Sequence, residues 1–382
     1  MPLRVCDYAT ELDISNNKFK KIPKDINSLY TMQKIDAKYN QLGAIPGTLF
    51  RLKELRQVDL SSNLIKKIPP TLPKATGLLD FDLRENKIRA LPAAINKAKS
   101  ILRFDVSNNI IKTFRKQAYE LTGSLDISRN RLNGLPPIGA KQKATLKKLD
   151  ASYNTISKLP QTIDRVSFLR RLDLSNNNIT HVPESFGNLR YLNYLDMSNN
   201  DIEEIPNSIC QLKYNLVELY LSNNKISKFP KDIDEYKKLR VLDLSANQLV
   251  KIPRKFAMNQ SIKHVNLSKN QLEDISPVTD SLLIHFLDIS ENCIPEIPET
   301  IKNLVYLETL LASHNQIRSV SDDPRNSFFT LLNKRELFVS LTVLELVSLN
   351  MDELPKAIPN LRLLEELYFD DNNVTQFPEV DS

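Results

Sequence analysis

The stretch LDLSNNNITHVPESFGNLRYLNYLDMSNN, residues 172–200, holds one motif twice. LDLSNN begins at Leu172 and LDMSNN begins 23 residues later at Leu195. Working outward in both directions, the same six-residue word recurs sixteen times, from LDISNN at Leu12 to LYFDDN at Leu367. Fifteen copies end in Asn, among them Asn17, Asn63, Asn109, Asn177, Asn247 and Asn372; the copy at Leu344 carries Leu349 instead. Side chains alternate along an extended segment, so the two apolar residues of each word share a face. Stacked copies therefore form a parallel sheet with that face buried. The Asn sits where the backbone turns away, and its amide can donate and accept at once, which suits buried loop N–H and C=O groups. Leu349 can do neither, so its turn is expected to be looser or rebuilt.

Thirteen repeats carry Pro six residues after the Asn position, as in KKIPKDI and EEIPNSI; Arg115, Ser276 and Ser321 are the exceptions. Proline fixes φ and suits the first turn of a short helix. The P-x-x-I-x-x-L spacing that follows fits one or two turns of α- or 3₁₀-helix on an outer wall. Two intervals are irregular: 21 residues from Asn109 to Asn130, and 34 from Asn315 to Leu349. The second predicts a small insertion near 321–336, where SFFTLL could form a longer outer helix. The fold expected is α/β: one curved solenoid over residues 1–382, a horseshoe of about sixteen repeats, with strands on the concave face and short α/3₁₀ helices on the convex face. Leu3, Cys6 and Ala9 read as core positions of an incomplete first repeat. Neither end has the polar cap that solenoids need, so the chain reads as part of something longer or as covered by a partner. A minimal cap within residues 1–8 is the alternative.

The pattern L-x-x-L-x-L-x-x-N-x-L resembles leucine-rich repeats. Its 23-residue form with I-P or L-P resembles the intracellular Ras-associated group, which includes Ras-suppressor-type scaffolds and the repeat regions of fungal adenylate cyclases and certain protein phosphatases. The resemblance covers roughly residues 3–378. It implies an intracellular protein–protein scaffold, often around small GTPases or phosphatases. It carries no functional residues that transfer to positions here.

Composition removes several other classes. Seven glycines in 382 residues, with no G-x-G-x-x-G and no G-x-x-x-x-G-K-[ST], argue against dinucleotide and P-loop sites. No apolar run approaches the ~18 residues of a membrane span. MPLRVCDYATELDISNN lacks the basic-then-apolar shape of a signal peptide. Cys6, Cys210 and Cys293 lie far apart, which fits a reducing compartment, so a cytoplasmic location is expected. His181, His264, His285 and His314 stand apart from one another and from the cysteines, so no metal site is expected. His181 reads as a residue of the ascending turn, His285 as a neighbour of a strand, and His264 and His314 as strand-face residues. No cofactor motif and no nucleophile motif occurs, and catalysis is not expected.

Surface patterning says more. Net charge is +6, but residues 1–200 hold 33 Lys+Arg against 18 Asp+Glu, and residues 201–382 hold 19 against 28. Nine successive repeats have Asp between the strand apolar residues, from Asp13 to Asp196. Neighbouring strands are about 4.8 Å apart, so these carboxylates should repel one another. The file is either a solvated habit of the repeat or an acidic track for a basic partner. From the ninth repeat the concave rows change to Tyr194, Tyr220, Val241, His264, Phe286 and Leu311, with Asp196, Asp243 and Asp288 interspersed. These nine residues are the candidate partner-binding site, because contiguous apolar and aromatic surface commonly marks an interface. The basic excess falls on the ascending turns and outer wall of the first half, including Lys20, Lys21, Lys66, Lys67, Lys141 and Lys143. It reads as solvated surface, with peripheral attachment to an anionic membrane as the alternative; a nucleic-acid platform is not expected without interleaved aromatics.

The function expected is a non-catalytic scaffold or adaptor in intracellular signalling, binding a protein on its concave face, with a small GTPase or phosphatase as the partner class. The alternative is a regulatory repeat region of a larger signalling enzyme, of adenylate cyclase or protein phosphatase type, responding to a small GTPase.

Overall fold

A computed structural model describes residues 8–317, 340–352, 354, 358 and 361–376. The expected insertion at 321–336 lies outside the described residues, as do Leu3 and Cys6. Sixteen strands of three residues, β1 (Glu11–Asp13) to β16 (Glu366–Tyr368), follow one another in chain order in a parallel sheet. Each begins one residue before the motif, so the middle position is its first apolar residue: Val58 lies opposite Phe81, and Leu242 opposite Val265. The chain divides into two compact units, residues 1–195 and 196–382.

The outer segments are built on the proline. In KIPKDI the Pro23 carbonyl accepts from the Ile26 N–H at 3.3 Å, and Pro183, Pro206 and Pro298 do the same three residues on at 3.0 Å. A locked φ near −60° thus starts a 3₁₀ segment whose next Ile or Phe drops into the core; Ile26, Phe186 and Ile209 are buried. Among the described residues, the one α-helical segment is Ser276–Thr279, where Ser276 stands at the proline position. The core is a column of stacked apolar residues. In the first unit Phe50 meets Phe81 edge-on at 5.7 Å, and Phe81 stacks on Phe104 at 5.6 Å.

The Asn row is the polar spine. Asn63 Nδ2 donates to the carbonyls of Leu60 and Ser61 in its own turn and to Ala37 in the preceding repeat, at 3.0–3.1 Å. Its Oδ1 accepts the Leu42 N–H at 2.9 Å. Asn86, Asn109 and Asn177 repeat the same four bonds. The residue before each Asn has positive φ, and none of these residues is Gly; Tyr39, Glu85 and Ala246 are examples at 50–54°. The N–H groups of Tyr39 and Ala246 donate to the next repeat at 3.1 and 2.8 Å, which holds the costly conformation in place. At Leu349 the turn is indeed rebuilt: Ser348 and Asn350 flank it with positive φ, and the N–H groups of Leu349 and Met351 both donate to Asn372 Oδ1.

Ser175, two residues past Asp173, is 6% exposed; its N–H and Oγ both donate to Asp173 Oδ1, at 3.0 and 2.7 Å. One reading of an individual residue is corrected. His314, taken as a strand-face residue, sits past the strand in the bend, with φ 54°.

Candidate functional site

Behind the solvent-facing sheet positions is a clamp that sequence reading missed. The Asp between the strand apolar residues accepts the N–H of the residue two further on, as Asp59 does from Ser61 at 2.9 Å and Asp243 from Ser245 at 2.9 Å. Where that residue is Ser, its hydroxyl commonly adds a second bond: Ser61, Ser128, Ser198 and Ser245 donate to their Asp at 2.6–2.7 Å. Asn266 replaces Asp and keeps the same Oδ1 geometry with Ser268. The Asp file is thus a row of Asx-type turns rather than a run of loose charges. The regular D-x-S spacing carried that signal. Crowding still leaves its mark: burial first, then the neighbouring carboxylates, pushes Asp82 and Asp126 up to about 6. Over this stretch of the first unit opens a concavity of about 490 Å³, lined by Asp59, Asp82, Arg103, Asp126 and Lys148 among others.

In the second unit the candidate residues fall into two adjoining rows. The register runs Glu218, Val241, His264, Phe286, Thr309 along one and Tyr220, Asp243, Asn266, Asp288, Leu311 along the other. His264 and Phe286 stack at 4.0 Å with rings 5° apart. Burial holds the His264 imidazole below its ordinary range, against the pull of Asp243 and Asp288. Tyr220 Oη donates to Glu218 Oε2 at 3.1 Å; burial and that carboxylate push the phenol up to about 12. Asp243 and Asp288 are anchored by Ser245 and Ser290, as Asp196 is by Ser198. At Leu311 the clamp is absent, and Ser313 Oγ turns to Glu345 at 2.6 Å. All these side chains are half-buried rather than exposed. Tyr194 belongs to the first unit, where the Arg171 guanidinium covers its ring at 3.4 Å.

More exposed apolar residues of the second unit lie outside these rows, among them Leu282, Val305 and Tyr306, which are 50–57% exposed. Tyr306 stacks on His285, which pairs with Glu308 at 3.0 Å. They sit just ahead of strands, at positions where the pattern demanded no particular residue. Cys210 is buried on the outer wall, and burial pushes its thiol up to about 12. Among the described residues no three His, Cys, Asp or Glu side chains form a metal-binding group. No described helix is long and apolar enough to cross a membrane.

A parallel sheet in chain order, an Asn at nearly every turn and a short 3₁₀ segment returning behind most of the described strands decide the architecture. This is a leucine-rich-repeat solenoid. The model of the leucine-rich repeat region family matches residues 124–244, and that of the leucine-rich repeat matches residues 9–29. A leucine-rich-repeat protein of Leptospira interrogans superimposes with a TM-score of 0.75 at 22% identity, covering 97% of this chain and 92% of that one. The functional domain of InlJ from Listeria monocytogenes gives 0.68 at 20% identity over 92% of this chain and 71% of that one. The ectodomain of the Arabidopsis thaliana receptor kinase GASSHO1/SCHENGEN3, solved in complex with CASPARIAN STRIP INTEGRITY FACTOR 2, gives 0.67 at 23% over 93% of this chain and 43% of its own length. By sequence, no curated protein matches.

Proposed function

We propose that this leucine-rich-repeat chain is a non-catalytic protein-binding scaffold, and that a partner segment docks on the sheet face of the second unit. One observation carries the reading. The two solvent-facing rows from Asp196 to Tyr368 hold no Lys or Arg, but hold Tyr220, the stacked His264–Phe286 pair and Leu311 among Asp243, Asp288 and Glu345. Stiff aromatic side chains on a sheet lose little entropy on binding and bury large area. The carboxylates around them favour a partner with Lys or Arg at the contact rim. The receptor ectodomain bound to its peptide factor belongs to the same fold, which supports the class of function. The proposal includes the finer readings from sequence: one array over residues 1–382, an intracellular Ras-group-type scaffold, a cytoplasmic location, and a small GTPase or phosphatase as partner.

The test is selection from a displayed peptide library on the full chain, followed by affinity measurement on variants. Tyr220→Ala and Phe286→Ala should each weaken the selected binders by roughly ten- to a hundred-fold, as hot-spot residues do. Binders indifferent to both, yet lost with Asp59→Asn, would move the interface to the concavity of the first unit. Asn is the right control there because Asn266 keeps the turn that Asp59 makes.

A further inference from the structure

The ascending loops of the first unit stack as regularly as its strands. The Gln41 N–H donates to the Phe19 carbonyl at 2.9 Å, Leu64 to Leu42 at 3.0 Å, Lys87 to Ile65 at 2.9 Å, Ile110 to Ile88 at 3.1 Å, Arg131 to Ile111 at 2.9 Å and Thr155 to Leu132 at 2.9 Å. Seven loops, those following Asn17, Asn40, Asn63, Asn86, Asn109, Asn130 and Asn154, therefore form one ladder at about strand spacing, roughly 30 Å long. Between the Asn position and the proline position these loops carry ten cations and no Asp or Glu. Eight of the ten are lysines. Lys18, Lys20 and Lys21 open the stripe, Lys66 and Lys67 follow, and five more extend it; all ten are exposed. Among the described residues none of them has a carboxylate within ion-pairing distance, whereas Lys34, Lys38, Arg56, Arg84 and Arg103 of the same unit are all paired. Two apolar side chains stand in the same loops beside the lysines: Phe19 is 45% exposed and Leu64 is 39% exposed.

We infer that this loop edge is a docking surface for an anionic membrane, held by its lysines and seated by Phe19 and Leu64. Like charges gathered on one rigid edge without counter-charges raise the potential there, and a partner bearing many negative groups relieves it. Each Lys or Arg near an anionic leaflet adds to the attraction, so a handful suffices for reversible attachment. Interleaved exposed apolar residues fit the headgroup boundary, where amphipathic surfaces bind. A single-stranded nucleic acid would want a row of aromatic faces for its bases. Among the described residues of these seven loops Phe19 is the one exposed aromatic, since Phe114 is buried. The balance of lysine over arginine also favours diffuse attraction to a charged surface over bidentate recognition of individual phosphates.

The test uses the full chain in co-sedimentation with phosphatidylcholine vesicles containing about a third phosphatidylserine, with pure phosphatidylcholine vesicles as reference and NaCl varied. Binding to the anionic vesicles, absent on the neutral ones and collapsing with salt, is expected. The quadruple variant Lys20→Glu, Lys21→Glu, Lys66→Glu, Lys67→Glu should weaken it by roughly a hundred-fold or more. An outer-wall control with the same charge change, Lys74→Glu, Lys97→Glu, Lys141→Glu, Lys143→Glu, should weaken it by less than about ten-fold. Replacing the stripe lysines by Gln, which adds no carboxylates, should keep that order, and Phe19→Ser with Leu64→Ser should weaken binding at unchanged charge. Equal loss in the stripe and wall variants would overturn the proposal, because net charge alone would then explain the attraction. No preference for anionic vesicles overturns it as well, as does tighter, stripe-dependent binding of a single-stranded RNA or duplex DNA oligonucleotide.

Discussion

Asn177 shows how one side chain can hold two repeats together. Its Nδ2 donates to Leu174, Ser175 and Ala151, and its Oδ1 accepts from Ile156. Asn177→Ala removes all four bonds and takes the acceptor from the buried Ile156 N–H, while the Ala151 and Ser175 carbonyls keep bonds from Asn154 Nδ2 and the Tyr153 N–H; it should cost on the order of 1–3 kcal/mol in urea unfolding. Ser175→Ala removes only the hydroxyl bond to Asp173 while the N–H bond remains, so about 0.5–1.5 kcal/mol is expected. Equal shifts would mean that the amide network contributes less than its geometry suggests. Gly123 marks the shortened repeat between Asn109 and Asn130. A Cβ there would stand 1.9 Å from the Leu102 carbonyl oxygen, and that oxygen also accepts the Ser124 N–H at 2.8 Å. Gly123→Ala must push two strands apart and should cost about 1–3 kcal/mol, read as a lowered urea midpoint. A neutral result would show that the neighbouring backbone yields easily.

At the scale of the strand row, the Asp file couples stability to pH. Asp82 titrates near 6 in the folded chain against 3.8 for the ordinary carboxyl, with burial as the main cause. Between those values the folded state binds the extra proton, so this contribution stabilises below about 4 and is lost as pH rises through 6. Asp126 has the same sign. Asp82→Asn keeps an Oδ1 for the Arg84 N–H, as Asn266 does for Ser268, and removes the charge. It should raise stability at pH 7 by about 1–2 kcal/mol, after allowance for the lost ion pair to Arg84, and flatten the pH profile between 4 and 6. Chemical denaturation across that range checks it, and an unchanged slope would mean that the aspartate is well solvated. D-x-S was visible in seven of the first nine repeats, yet its meaning was not. Spacing cannot say whether a carboxylate faces water or its own backbone.

For the whole molecule, the two surfaces argued above should act independently. The loop stripe is electrostatic and lies within residues 18–158, whereas the aromatic face lies within residues 196–345. The Tyr220→Ala, Phe286→Ala double variant should bind anionic vesicles as the parent does. The four-lysine reversal should bind selected peptides as the parent does. Substitutions that share no contact partners normally add. Salt separates the two as well, because exposed charge attraction is screened and apolar burial is not. Cross-talk in either direction would show that one surface serves both partners.

The repeat, its Asn spine, the proline-initiated outer turns and the rebuilt turn at Leu349 were all readable from the chain alone. A side-chain alternation of two, together with a demand for buried amides, leaves a stacked parallel sheet as the consistent arrangement, and sixteen copies repeat that demand. Other features needed the folded molecule. Ser175 is buried because the strand end curls under Asp173, and His314 leaves the strand because the bend takes a left-handed residue there. The half-burial of Tyr220 and Phe286, the stacking of His264 and the proton affinity of Asp82 depend on neighbours some 23 residues away in sequence. The alignment of cations from six of the seven loops into one unpaired edge is likewise a product of stacking. Local pattern sets which residues turn and which are buried; packing between repeats decides what each exposed group meets.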